Sequence, residues 1–225
     1  MGVIRAVGFD LDGTLFDHRG SASIAVDTFY RSLGVEPSEK ARNLWFAAEE
    51  DAFELWRSGR ISFQDQRRRR LRTVLPAVGL STPRHADGLD RLFSQYLRAY
   101  RAAGRPFADS ASILGELGRM GLSLGILTNG AKDQQMDKLQ VSGLSDLVDV
   151  VLISEELGFQ KPDQQAFQAL TTQLAVAPSE CLFIGDNFEH DIAGARAAGL
   201  DAVLINRYDD TGLDLRTALW DRIRP

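Results

Sequence analysis

Two aspartates one residue apart, Asp10 and Asp12, follow the apolar run 3–9 and precede Gly13 in the stretch GFDLDGTLFD. A run of that length, rich in β-branched and aromatic residues and stopped by a glycine-containing turn, is expected to be a buried strand, with both carboxylates at its carboxyl end. Carboxylates crowded together repel unless a cation or a shared proton holds them, so the pair points to a metal site or to acid/base chemistry. An EF-hand calcium loop starting at Asp10 fails, because the glycine and glutamate it needs at its sixth and twelfth positions are Leu15 and Ser21 here.

Other apolar runs also end in groups that do chemistry. The run 181–184 leads through Gly185 to Asp186, with Asp191 five residues on. The run 122–127 enters Thr128-Asn129-Gly130, a hydroxyl and a turn whose N–H groups suit an anion. After the run 148–153 comes Lys161, just before Pro162 and a helical pattern. Taken singly, these read as a turn, a surface lysine and a helix cap. Their joint order after four apolar runs favours a phosphoryl-transfer centre. Asp10 and Asp186 would take Mg²⁺ together with phosphate oxygens, and an aspartate can serve as nucleophile toward phosphorus. Asp12 would protonate the leaving oxygen and then deprotonate water, while Lys161 and Thr128 balance the charge in transfer.

The positioning elements follow from hydrophobic periodicity. Strand-length runs at 3–9, 122–127, 148–153, 181–184 and 202–205 mostly alternate with helical patterns at 110–120, capped by Asp109 or Ser110, at 163–175 and at 191–198. That alternation predicts an α/β, Rossmann-like open parallel sheet, which binds ligands beyond the carboxyl ends of its strands. The middle of the chain is helical instead: 22–33 and 39–58 close on Gly34 and Gly59, 63–75 precedes Pro76, and 87–103 closes on Gly104. The expected organisation is a catalytic core of residues 1–17 and 105–225 with an inserted α-helical cap domain at 18–104. The run Arg67–Arg70, with Arg72, spreads around a helix and reads as a solvated or core-facing salt-bridged surface, with phosphate or nucleic-acid contact as the alternative.

The chain has 225 residues and a net charge of −5, which argues against a general nucleic-acid binder. Residues 18–105 hold sixteen basic and ten acidic groups, a balance of +6 that leaves −11 on the rest. No run approaches the roughly 20 apolar residues of a membrane span, and the first residues lack a secretory layout, so a cytoplasmic location is expected. With three histidines and one cysteine there is no soft-ligand cluster, which favours Mg²⁺ over Zn²⁺. Cys181 is expected to be a small buried hydrophobe.

On these residues the sequence resembles the haloacid dehalogenase superfamily of hydrolases. Asp10-Leu11-Asp12-Gly13-Thr14 is similar to its first motif, Thr128-Asn129 to its second, Lys161-Pro162 to its third and Gly185-Asp186-Asn187-Phe188-Glu189-His190-Asp191 to its fourth, with the helical insert where one subfamily carries an α-helical cap. The resemblance implies that Asp10 is the nucleophile and Asp12 the general acid/base. It further implies that Asp10, the Asp12 backbone carbonyl and Asp186 bind Mg²⁺, that Asp10, Thr128, Asn129 and Lys161 bind phosphate, and that Asp191 orients the metal site or Lys161. True dehalogenases of the superfamily carry a non-acidic residue where this chain has Asp12, so the resemblance favours a phosphatase. A sugar phosphomutase, a 2-haloacid dehalogenase and a non-catalytic module retaining the fold are the alternatives. The second and third motifs, with 153–158, are similar to a branch of nucleotidases and acylneuraminate phosphatases, implying a small phosphorylated metabolite such as a nucleoside monophosphate or sugar phosphate. No nucleic-acid or membrane partner is expected, and the oligomeric state stays open. Specificity is expected in the cap, with Arg60, Arg67 and Arg68 as cationic candidates and hinges near 17–20 and 104–109.

Overall fold

The computed structural model describes residues 3–209 and 214–223. In chain order the elements are β1 (Ala6–Phe9), α1 (His18–Ser32), α2 (Glu39–Arg57), α3 (Phe63–Ala77), α4 (Ala86–Ala103), α5 (Ser110–Arg119), β2 (Ser123–Thr128), α6 (Lys132–Ser142), β3 (Val150–Ile153), α7 (Ser154–Leu157), α8 (Gln164–Gln173), β4 (Cys181–Gly185), α9 (Gly194–Ala197), β5 (Asp201–Leu204) and α10 (Leu215–Ile223). They form two compact units, one of residues 1–18 with 104–225 and one of 19–103.

The first unit is a five-stranded parallel sheet in the order β3-β2-β1-β4-β5. Its central strand pairs on both edges, Gly8 lying between Gly125 and Phe183, and every residue of β1 is buried. A strand covered on both faces has no polar side to show, which is why the sequence runs apolar there without alternation. Below the sheet's carboxyl edge the core is built from Phe167, Leu170, Phe183, Ile192 and Ala202, with the Phe167 and Phe183 rings edge-on at 5.1 Å.

Several boundaries depart from the periodicity. β1 starts at Ala6, leaving Val3 81% exposed. β3 starts at Val150, preceded by Asp149, whose carboxylate accepts from the Leu124 N–H at 2.8 Å. Asp109 does not cap α5 with its side chain, which pairs instead with Arg207. Pro76 lies inside the last turn of α3 rather than after it. The 191–198 pattern resolves into a π-helical turn, Phe188–Ala193, and then α9. The helix α6, weakly amphipathic in its spacing, is not among the elements the periodicity predicts.

The second unit packs α1–α4 around aromatic side chains. Trp45 is fully buried, with Tyr96 at 4.4 Å and Phe93 at 6.2 Å between ring centroids. Of the arginine run, Arg68 reaches Asp90 at 2.7 Å, and Arg67 stacks 4.7 Å from the Phe63 ring. Arg70 is only 2% exposed and meets Glu49 at 2.7 Å, beside the faces of Trp45, Phe53 and Phe93. Breaking a buried pair from one side strands the other charge. Arg70→Met is therefore expected to destabilise this unit by about 3–5 kcal/mol, and Glu49→Leu added to it should recover most of the loss. Urea denaturation of the two variants checks this; an undiminished loss in the double variant would show that packing, not the stranded carboxylate, sets the cost.

At the edge of the first unit the two segments that lead to residues 19–103 lie side by side. Phe16 and Pro106 form an antiparallel bridge, the Asp17 N–H donates to the Arg105 carbonyl at 3.0 Å, and Arg105 Nη2 meets Asp17 Oδ2 at 2.8 Å. Among the described residues no helix is long and apolar enough to cross a membrane.

Candidate active site

The Asp10 N–H donates to the Ile184 carbonyl at 2.8 Å, so this buried aspartate extends the β1–β4 ladder by one residue. The chain then folds into a tight turn, in which the N–H groups of Leu15 and Phe16 both donate to the Leu11 carbonyl. Gly13 in that turn has φ +80°, and a Cβ there would lie 2.0 Å from Asp186 Oδ2. A side chain at Gly185 would likewise strike the Asp191 carboxylate at 2.3 Å. Both glycines are therefore what lets the carboxylates close in on the backbone.

Lys161, 2% exposed, occupies the centre. Its Nζ donates to Asp10 Oδ1 and to Asp191 Oδ1, each at 2.6 Å. Asp191 is held in turn by the Asn187 N–H on its Oδ2 at 3.0 Å. The Asn129 amide makes a reciprocal pair with the Lys161 backbone, Nδ2 to O and N to Oδ1, both 2.9 Å. The Asn129 side chain thus holds the loop that carries Lys161.

Electrostatics follow from this crowding. Burial pushes the Asp10 carboxyl up to about 7, Lys161 pulling it back while Asp191 and Asp12 push it further. Burial, with Asp10 and Asp191 beside it, raises Asp186 to about 8. Burial works against the Lys161 ammonium, but Asp10 and Asp191 outweigh it and hold its pKa above the ordinary lysine value. One oxygen from each of Asp10, Asp186 and Asp191 lies within 4.8 Å of the other two. This all-oxygen set, electrostatically short of positive charge, fits a hard divalent cation. Since Asp191 already serves Lys161 and Asn187, Asp10 and Asp186 are the carboxylates available to it.

Asp12 faces other partners. Lys138 Nζ meets its Oδ2 at 2.6 Å, Gln135 Nε2 meets the same oxygen at 3.2 Å and Thr128 Oγ1 at 2.5 Å, and His18 Nδ1 stands 3.9 Å from Oδ1. Burial pushes Asp12 up, but Lys138, His18 and Gln135 outweigh it and leave its pKa below the usual carboxylate value. Gln135, Lys138 and His18 were not singled out from the sequence. The signal for the first two is a polar pair three residues apart beside Leu139 on the buried stripe of α6. Cys181 lies buried in β4, its thiol pushed up to about 12 by burial, which suits a hydrophobe and not a nucleophile.

The structure thus gathers Asp10, Asp186, Asp191 and Lys161 in one cluster and ties Asp12 to Thr128 through Gln135, all at the carboxyl edge of the sheet. The profile of haloacid dehalogenase-like hydrolases matches residues 4–199. A glyceraldehyde 3-phosphate phosphatase of Methanopyrus kandleri is 32% identical over 218 residues, covering 91% of this chain and 85% of that protein. A phosphoserine phosphatase of Thermus thermophilus is 38% identical over 141 residues, 63% of this chain but only 55% of that protein. Among solved structures, the HAD-hydrolase YfnB of Bacillus subtilis, bound to magnesium, superposes over 100% of both chains with a TM-score of 0.84 at 21% identity, a likeness of fold. An L-2-haloacid dehalogenase of Xanthobacter autotrophicus is 28% identical with a TM-score of 0.71, over 92% of this chain and 80% of that one. With the fold, the four motif positions at one sheet edge and the profile match in agreement, the chain belongs to the haloacid dehalogenase-like hydrolases.

Proposed function

We propose that the chain is a cytoplasmic, Mg²⁺-dependent phosphomonoester hydrolase that works through an aspartyl-phosphate intermediate on a small phosphorylated metabolite, a nucleoside monophosphate or a sugar phosphate. The observation that carries this reading is the division of labour between two aspartates two positions apart: Asp10 held by Lys161, Asp12 held by Lys138 and Gln135. The named phosphatases among its relatives support it.

In this reading the Asp10 carboxylate attacks phosphorus as the P–O ester bond breaks, and Asp12 gives its proton to the departing alkoxide. Water then attacks the phosphorus of the aspartyl phosphate, Asp12 takes a proton from it, and inorganic phosphate and the Asp10 carboxylate are released. Held below the usual range in the resting protein, Asp12 gains proton affinity when a phosphate's negative charge arrives beside it. Lys161 offsets the charge on the transferring group. Asp10, Asp186 and the Asp12 backbone carbonyl would hold Mg²⁺, which supplies further stabilisation of charge on the phosphoryl oxygens. Asp12 also weighs against dehalogenation, which needs no proton donor for a halide. We assign the chemistry to residues 1–17 and 105–225 and substrate choice to 18–104.

Hydrolysis of p-nitrophenyl phosphate, followed by a panel of phosphorylated metabolites, tests the reading; isomerised sugar phosphate in place of free phosphate would favour a phosphomutase. Chelation is expected to lower turnover about 100-fold or more, and added Mg²⁺ to restore it. Asp10 and Asp186 hold their protons to about 7 and 8, whereas in the unfolded chain they release them near 3.8. Folded protein thus binds more protons between those values, and metal-free stability should fall as pH rises from about 4 to about 8. Mg²⁺ should raise Tm more at the alkaline end. Full activity in chelated buffer would remove the metal from the mechanism, and a Tm gain independent of pH would show that Mg²⁺ does not bind through Asp10 and Asp186.

A further inference from the structure

Asp12 takes its side-chain hydrogen bonds through one oxygen, Oδ2, from residues that lie outside all four motifs, while His18 Nδ1 stands 3.9 Å from Oδ1. Gln135 and Lys138, three residues apart on one face of α6, are 2% and 5% exposed. Burying an ammonium is costly unless it is paired, and Lys138 finds Asp12 Oδ2 at 2.6 Å with Gln135 on the same oxygen at 3.2 Å. The second carboxylate oxygen, Oδ1, is buried and accepts no hydrogen bond. Gln135 also donates to Thr128 Oγ1, so the grip is anchored to the end of β2.

We infer that Lys138, with Gln135, is a positioning residue for the proton-transfer steps: it pins Asp12 through Oδ2 and reserves Oδ1 for the exchange of a proton with the leaving group and then with water. The inference rests on the phosphatase reading above. In the first step the proton on Oδ1 passes to the ester oxygen as its bond to phosphorus breaks; in the second, Oδ1 takes a proton from the attacking water. The contribution of Lys138 must then scale with the leaving group's need for that proton. An alkoxide cannot depart without one, whereas p-nitrophenolate is stable as an anion.

The test compares kcat/KM of full-length Lys138→Met, Lys138→Arg and Gln135→Leu, with Mg²⁺ present, on p-nitrophenyl phosphate and on glycerol 2-phosphate. Lys138→Met is expected to lose about 100-fold or more on the aliphatic ester and less than about 5-fold on the aryl ester. On the aryl ester its kcat should fall together with KM, because aspartyl phosphate waits for its base. Lys138→Arg should recover most of the aliphatic activity, and Gln135→Leu should show the same selectivity at about 10-fold. Equal losses on both esters in a folded Lys138→Met protein, or no loss on either, would overturn the inference. If that variant melts early, equal or absent losses in Gln135→Leu would overturn it in the same way. A wild-type protein that hydrolyses neither ester would instead bring down the phosphatase reading itself.

Discussion

Asp10→Asn is expected to leave a folded protein with turnover reduced by on the order of 10⁴-fold or more. The amide is isosteric, and its oxygen can still accept from Lys161 Nζ, now 2.6 Å from Oδ1, so the ladder to Ile184 and the surrounding cluster keep their shape. What disappears is the nucleophile. Because burial already works against a charge at this position, the neutral side chain should not lower stability and should flatten its dependence on pH. Asp12→Asn provides the contrast: with p-nitrophenyl phosphate it should accumulate phosphoprotein, visible by intact mass, whereas Asp10→Asn should form none. Turnover within tenfold of wild type in folded Asp10→Asn would rule out Asp10 as nucleophile.

Lys161→Met is expected to be nearly as damaging to catalysis, at about 10³-fold, and far more damaging to the fold. Lys161 is the cation that separates Asp10 from Asp191, both buried and both 2.6 Å from its Nζ. Removing it leaves two uncompensated carboxylates facing each other, a loss of about 3–5 kcal/mol. The sign with pH follows from the same contacts. Without the ammonium Asp10, already raised by burial, holds its proton still more tightly, so the variant should regain stability as pH falls through the range where Asp10 becomes neutral. Denaturation midpoints at acid and alkaline pH check this; a deficit unchanged across pH would mean that the lost aliphatic packing, and not the charge, is responsible.

The sheet was legible because parallel strands buried on both faces leave an unmistakable apolar run. The residues that converge on its carboxyl edge were legible because a carboxylate straight after such a run has few other reasons to be there. Asp10 and Asp186 each stand straight after a strand, where chain order already fixes their neighbourhood, and Lys161 lies in the loop between α7 and α8, just before a helix that Pro162 announces. Gln135 and Lys138 carry no such mark. Their meaning depends on α6 turning one face toward the end of β1, a tertiary fact that a weakly amphipathic segment does not announce. The Asn129 side chain carries no mark of its structural task either, since its partner, the Lys161 backbone, lies more than thirty residues on. Asp109 sits where a cap belongs, yet Arg207, nearly one hundred residues on, competes for it with full charge. At Asp109 a local rule gave way because a distant cation offered a stronger partner.

The clasp between Asp17 and Arg105 makes everything between them a cassette. Both ends of the insertion leave the sheet through a single backbone bridge, Phe16 with Pro106, so the core meets the same two anchor points whatever the intervening chain contains. Closing a longer or shorter loop onto fixed anchors changes the entropy only with the logarithm of its length, and an insert that folds by itself with adjacent termini changes it less. One contiguous stretch of gene can therefore be lengthened, replaced or recombined while the five strands keep their register. Under the proposed division of labour, a lineage built this way inherits its chemistry and its selectivity as separate parts, each free to vary at its own rate.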